Sequence, residues 1–385
     1  MFKHSTLSLG MKIYSLLLAA CLLAFPLFGC KNATTPTLSV PPASPVPIRG
    51  VWLPASDSDA LFSRDNIRRM VDDCARYGIN HLFVVTWTGG FTQYPSALMQ
   101  RTFGKLIDPR FAGRDPLQEV IEEAHKRNIK VYAWFEFGFA ADYSGTNAHI
   151  LTQKPDWAAR SADGSITTKN GFRWMNALNP AVQSFMLDLV NEVVSRYDVD
   201  GIQGDDRLPA MPTEGGYDAD TKARYTQETG NTVPTNAQDA AWVAWRANQL
   251  TDFLRRLTAL VKRTKPSCQV SSAPSVYPFS LTNYLQDWPA WVKNGSVDMV
   301  APQIYRRDLT AYQNELNKIV NTQVSAAQKS LVVPGMLLKV GSYVAPDSLL
   351  RQQIGANRAA GLPGEIFFHY EGTRSRTSFF EAIYK

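Results

Sequence analysis

Asp205 and Asp206 stand side by side at the end of Asp200-Gly201-Ile202-Gln203-Gly204. Adjacent carboxylates repel, and burying either one costs several kcal/mol unless something useful holds the charge. For an arbitrary Asp-Asp pair, a helix cap and a solvated loop residue are the ordinary outcome. Here the pair follows Val199, Gly201, Ile202 and Gly204, apolar or small residues that suit a short buried strand. Two carboxyls bordering one cleft are the equipment of glycoside hydrolysis. One protonates the leaving oxygen while the other attacks or activates water.

Side chains alternate along a strand, so if Ile202 packs outward, Gln203 and Asp205 point inward. Asp205 is then the candidate nucleophile or general base, and Asp206 begins the loop and supports it. Glu136 ends another predicted strand among Trp134, Phe135 and Phe137. Desolvation there would raise its pKa as a general acid requires, which makes Glu136 the first candidate donor. Asp206 and Glu371 are the other donors to consider, and an ion pair with Arg374 is the plain alternative for Glu371. Trp87, Tyr94, Trp134 and Tyr305 offer flat apolar faces to sugar rings. Gln203, Arg207, Gln303 and Glu371 are candidate polar contacts, with Arg207 suited to an acidic sugar. A mononuclear metal site from His369, Asp205 and Asp206 has no HxH or HxxxH pair behind it, and neither a metal nor a cofactor is expected.

These groups must be positioned by a repeating pattern of strand and helix. Strands are predicted at 50–53, 80–87, 129–135, 199–205, 269–273, 297–303, 331–337 and 365–369. Helices are predicted at 64–77, 117–127, 180–196, 240–265, 281–293, 309–320 and 346–360, with a short one near Phe379. Eight alternations predict an α/β fold of the (β/α)8 TIM-barrel type. A doubly wound open sheet is the alternative, but no GxGxxG or GxxxxGK[ST] loop follows any strand. The long segments 88–113, 137–178 and 206–239 all follow strands, which in a barrel gathers them on the catalytic face.

The N-terminus reads as an address. Lys12 precedes an apolar run from Ile13 to Phe28, and Leu27-Phe28-Gly29-Cys30 resembles a bacterial lipobox. The reading is a leader at 1–30 with Cys30 lipidated, a Pro/Thr/Ser-rich tether at 31–48, and a catalytic domain at 49–385. Met11 heads a more conventional leader than Met1, and cleavage elsewhere with ordinary secretion is the alternative. Such a chain faces the periplasm or exterior of a bacterial envelope, held to the membrane by lipid. Cys74 and Cys268 remain as separate buried thiols. The formal charge of +6 is scattered, without a basic stripe interleaved with aromatics, so nucleic-acid binding is not indicated.

Six motifs carry a family resemblance: RGVW at 49–52, YPS at 94–96, DPLQEVIEEAHKRNIKVYAWFE at 115–136, RYDVDGIQGDD at 196–206, WVKNGSVDMVAPQIYR at 291–306 and GEIFFHYEG at 364–372. Together they resemble, in order, the glycosyl hydrolase-like 10 family of bacterial extracellular and lipoprotein barrels, related to the amylase-type hydrolases. The resemblance implies a polysaccharide substrate, with peptidoglycan glycan strands among the possibilities. It places Asp205 in the nucleophile slot of the amylase-type fourth strand and Gln203 where a supporting Arg stands. Two departures are visible. Gly204 and Arg207 replace aromatics around the acid pair, and the fifth strand carries no Glu in the acid/base slot. A barrel that binds glycan without cutting it is the alternative those departures suggest.

Overall fold

A computed structural model describes residues 46–385. The leader, the lipid-acceptor Cys30 and the tether as far as Pro45 lie outside the described residues. The remainder is an α/β fold built on one curled, wholly parallel sheet flanked by helices. Its strands are β1 (Ile48–Leu53), β2 (His81–Val85), β3 (Lys130–Phe135), β4 (Gly201–Gly204), β5 (Gln269–Ser272), β6 (Met299–Val300), β7 (Gln303–Ile304), β8 (Gly335–Leu337) and β9 (Gly364–Phe368). They are ordered β6-β5-β4-β3-β2-β1-β9-β8-β7. The first strand therefore pairs with the last, Val51 opposite Phe367. The two outermost strands, β6 and β7, are successive pieces of one segment.

That segment was expected as a single strand and is broken at Ala301-Pro302. Proline has no N–H to give a ladder. The backbone bridges the break with its other groups: Ala301 N–H donates to Ser272 O at 2.7 Å, and Gly335 N–H donates to Pro302 O at 2.9 Å. Other boundaries moved for equally local reasons. β1 starts at Ile48, two residues early, because Ile48 N–H reaches Pro363 O at 2.8 Å. The strand predicted from residue 331 begins at Gly335, since Ala326–Leu331 winds into a 3-10 turn and Pro334 cannot donate. The helix predicted at 281–293 is two, Phe279–Tyr284 and Trp288–Lys293, interrupted by Leu285 in the left-handed conformation.

Helices form where the apolar spacing and caps predict them. Arg64–Arg76 buries Ile67, Met70, Val71 and Cys74 on one face, and its Ser63 cap accepts from Asn66 N–H. Asp115, Asn179 and Asp239 cap Pro116–His125, Pro180–Arg196 and Ala240–Thr264 in the same manner. Every residue of β2 is buried, as a parallel strand covered on both faces must be. Inside the curl, Trp52, Phe83, Tyr132 and Trp134 are fully or nearly fully buried. Each such side chain contributes roughly 1.5–3 kcal/mol by leaving water. The long segments after β2, β3 and β4 have structure of their own: a helix at Ala97–Phe103, a small antiparallel sheet including Ala140–Tyr143 and Phe172–Trp174, and a helix at Ala219–Thr229.

Candidate active site

β4 ends at Gly204, and the chain turns at once: Leu208 N–H donates to Asp205 O at 3.1 Å. Gly204 is required because a Cβ there would lie 2.2 Å from Leu208 O. Gly138, in the loop after β3, plays the matching part. Its φ is +48°, and a Cβ would lie 2.0 Å from Arg207 O. The turn is thus seated between two glycines. Gln286, fully buried, fastens it from the far side by donating to Asp205 O at 3.1 Å and Pro209 O at 3.2 Å.

The turn aims Arg207 at three carboxyls. Its Nη1 lies 2.8 Å from Asp206 Oδ1, and its Nη2 lies 3.2 Å from Asp205 Oδ2 and 3.9 Å from Glu136 Oε1. Its Nε donates to Glu136 O at 3.0 Å. The guanidinium also rests on the Phe172 ring at 4.7 Å. Asp205 is 4% exposed, and its other oxygen accepts from Gln303 Nε2 at 2.7 Å. Because Asp205 and Glu136 approach the same Nη2, their oxygens lie no more than about 7 Å apart, which brings the two carboxyls to one place as a glycosidase pair must be.

Three carboxyls around one guanidinium leave negative charge in excess. Burial, with the charges of Asp206 and Glu136, pushes the Asp205 carboxyl well above the usual range, and Arg207 only partly offsets this. Burial also raises Glu136, against the pull of Arg207 and a hydrogen bond from Thr88. Ionising either acid opposes ionising the other, so the cluster retains a proton more readily than separate carboxyls would. Tyr284, close to Asp206, is raised to about 12, chiefly by burial.

Of the residues singled out from sequence, Asp205, Asp206, Glu136, Arg207 and Gln303 converge. Tyr305 belongs beside them: its hydroxyl is pushed far up by burial and by the nearby Asp205 and Asp206 charges. The others stand elsewhere. Gln203 is fully buried, accepting from Trp52 Nε1 at 2.7 Å and donating to Ser271 Oγ at 2.9 Å. Trp134 packs beside Trp52 in the same interior, with ring centres 6.4 Å apart. Trp87 and Tyr94 are also fully buried, bonded to Gly138 O and the Glu192 carboxylate. Glu371 accepts from Ser58 at 2.8 Å and pairs with Arg374 at 3.2 Å, the ion pair weighed above as its alternative. Arg207 faces the protein's own carboxyls rather than open solvent. Gln286, Phe172 and Tyr284 were not foreseen, because they come from segments far from the acids in sequence, and no spacing within those segments marks a residue as near the acids.

Hollows adjoin the cluster through two of these residues. One of about 590 Å³ is lined by Gln303, Tyr305, Tyr277 and Arg306 among others. One of about 340 Å³ is lined by Thr88, Phe91, Arg110 and Asn147 among others. His369 is buried, and its desolvated imidazole is lowered to about 4. Among the described residues, no three His, Cys, Asp or Glu side chains group as metal ligands would.

The family described as "Glycosyl hydrolase-like 10" matches residues 47–345. The glycosyl hydrolase DigH of Escherichia coli K12 is 28% identical over 417 aligned positions, covering 90% of each chain. The glycosyl hydrolase YngK of Bacillus subtilis is 26% identical over 264 positions, covering 62% of this chain and 48% of that one. Among solved structures, the PgaB (BpsB) glycoside hydrolase domain of Bordetella bronchiseptica superposes with a TM-score of 0.63 at 15% identity, over 87% of this chain and 97% of that one. The β-amylase catalytic domain of Paenibacillus polymyxa gives 0.61 at 9% identity, over 88% and 97%. At these identities the two structures speak to the fold alone.

Proposed function

The chain belongs to the glycosyl hydrolase-like 10 family and is an enzyme of the glycoside hydrolase type, and from that premise we propose that it cleaves a cell-envelope or extracellular polysaccharide with the carboxyls at the end of β4. The observation that carries this reading is the Arg207 cluster, which holds Asp205, Asp206 and Glu136 together next to the hollow that Gln303 lines. The sheet is read here as a closed (β/α)8 barrel, with β6 and β7 as the two halves of its sixth strand. The cluster then lies at the C-terminal face, where barrel enzymes do their chemistry.

In this reading Asp205 is the nucleophile or general base. Gln303 and Arg207 each donate to one of its oxygens, fixing the carboxylate and favouring its charged form once the cluster's proton resides elsewhere. Glu136 is the acid that delivers the proton to the leaving oxygen, since Arg207 approaches it only at 3.9 Å whereas Asp205 accepts hydrogen bonds from both Arg207 and Gln303. Asp206 supports the pair by anchoring the guanidinium. Because the acid that must ionise starts from a raised pKa, the acid limb of the rate profile lies at higher pH than an ordinary carboxylate would give.

Peptidoglycan glycan strands are the substrate the family resemblance favours, and the lipobox-like Leu27–Cys30 favours an enzyme tethered by lipid to the envelope. A panel of glycans, including peptidoglycan with and without its stem peptides, tests the substrate when products are identified by mass. New reducing ends from one glycan class are expected. Undiminished hydrolysis by an Asp205→Ala/Asp206→Ala double variant would remove the carboxyl mechanism. A Cys30→Ala variant that stays in the membrane fraction would remove the lipid tether.

A further inference from the structure

The 590 Å³ hollow beside Gln303 has a chemistry of its own. Tyr277 and Tyr305 give it flat aromatic walls, Tyr305 braced against Phe368 with ring centres 5.4 Å apart. Phe279 stands at its lip, 47% exposed. The same lining holds two cations, Arg306 and Lys318. Arg306 Nη2 lies 3.1 Å and Lys318 Nζ 3.3 Å from the same oxygen, Oε1 of Glu315. Glu315 is the one acid in the lining, so the wall carries one positive charge in excess. Both cations keep donors open to solvent: the Lys318 side chain is 54% exposed and that of Arg306 31%.

Arg207 has no such freedom, since its nitrogens are taken up by Asp205, Asp206 and Glu136. A negatively charged sugar would be repelled at that excess of carboxyls and attracted to the Arg306 and Lys318 side chains. We propose that this hollow is a subsite for a carboxylate-bearing sugar, its ring lying on the Tyr277 and Tyr305 faces and its carboxylate reaching Arg306 and Lys318. This rests on the reading of the Asp205 cluster as a hydrolytic centre and names what stands next to it. Sugar faces suit aromatic walls, and a carboxylate gains charge-assisted hydrogen bonds that a neutral substituent cannot make.

The test uses the full protein and two ligands that differ in one group: peptide-free peptidoglycan strands, and the same strands with their carboxyls reduced to alcohols. Binding is measured by calorimetry and cleavage by new reducing ends. Wild type is expected to bind the carboxylated strands about tenfold more tightly. The Arg306→Gln/Lys318→Gln double variant is expected to bring that ratio close to one, with a smaller loss on the reduced strands. Glu315→Gln frees both cations and is expected to tighten binding of carboxylated strands selectively, an outcome that structural damage would not produce. Equal affinity of wild type for both ligands, or an equal loss on both in the double variant, would overturn the subsite. Discriminating binding without any cleavage would instead remove the hydrolase reading and leave the subsite standing.

Discussion

Two buried arginines, one helix apart in sequence, do opposite things. Arg246 is fully buried and spends its donors on backbone carbonyls: Thr213 O, Gly215 O at 2.7 Å, Ala237 O at 2.7 Å and Trp242 O at 3.2 Å. Arg207 faces three carboxyls. Burial lowers Arg246 to about 10 against a weaker pull from Tyr217 and Glu214, whereas the neighbouring acids outweigh burial at Arg207 and raise it. Carbonyls accept hydrogen bonds but carry no proton to exchange, so Arg246 can only hold the loop after β4 in place. Carboxyls titrate, so Arg207 sets how easily its neighbours ionise. The partner of a buried charge, more than its burial, separates a structural clamp from a chemical one.

The sharpest test of that contrast is Asp205→Asn. The amide keeps the shape and can still accept from Gln303, while the ionisable oxygen is lost. Activity is expected to fall about 10³-fold or more with the circular-dichroism spectrum unchanged. The opposite result is expected at the other arginine. Arg246→Met leaves several buried carbonyls without a donor and should cost about 2–4 kcal/mol in urea unfolding, while the folded fraction keeps its KM.

Arg207→Gln distinguishes the two sites by pH. Arg207 holds Asp205 and Glu136 down, so removing its charge raises both. The acid limb of kcat/KM should then move to higher pH by about one unit, with Arg207→Lys restoring part of the shift. An unmoved limb would make Arg207 a clamp of the Arg246 kind. Glu371→Gln is the small effect. Its Arg374 partner is 43% exposed, so the loss should stay below about 1 kcal/mol in urea unfolding and within about twofold in activity.

Residues that obey a local rule were readable in advance. Ser63, Asp115 and Asn179 lie where N-caps are expected and cap. The nearly all-apolar run of β2 marks a strand buried on both faces. Asp205 could be found because strand alternation turns it inward and two glycines flank its strand. Trp87, Tyr94 and Trp134 were misjudged for one shared reason. An aromatic near a strand end has the composition of a sugar platform, but composition does not say which way the ring points. Each is buried, and the aromatics near the acids, Phe172 and Tyr284, come from segments remote in sequence.

By itself, then, the sequence determined the succession of strands and helices, the position of the acid pair at the end of β4 and the family, because periodicity, capping and motif order are properties of neighbouring residues. Tertiary structure alone decided that Glu136 and Asp205 reach the same guanidinium, that Arg207 stands among the three acids, and that Gln303 and Gln286 fasten the turn. Those contacts span 71 to 98 positions of chain for Glu136, Gln286 and Gln303. Their energies depend on distance and burial, which exist only once the sheet has curled and brought its strand ends together.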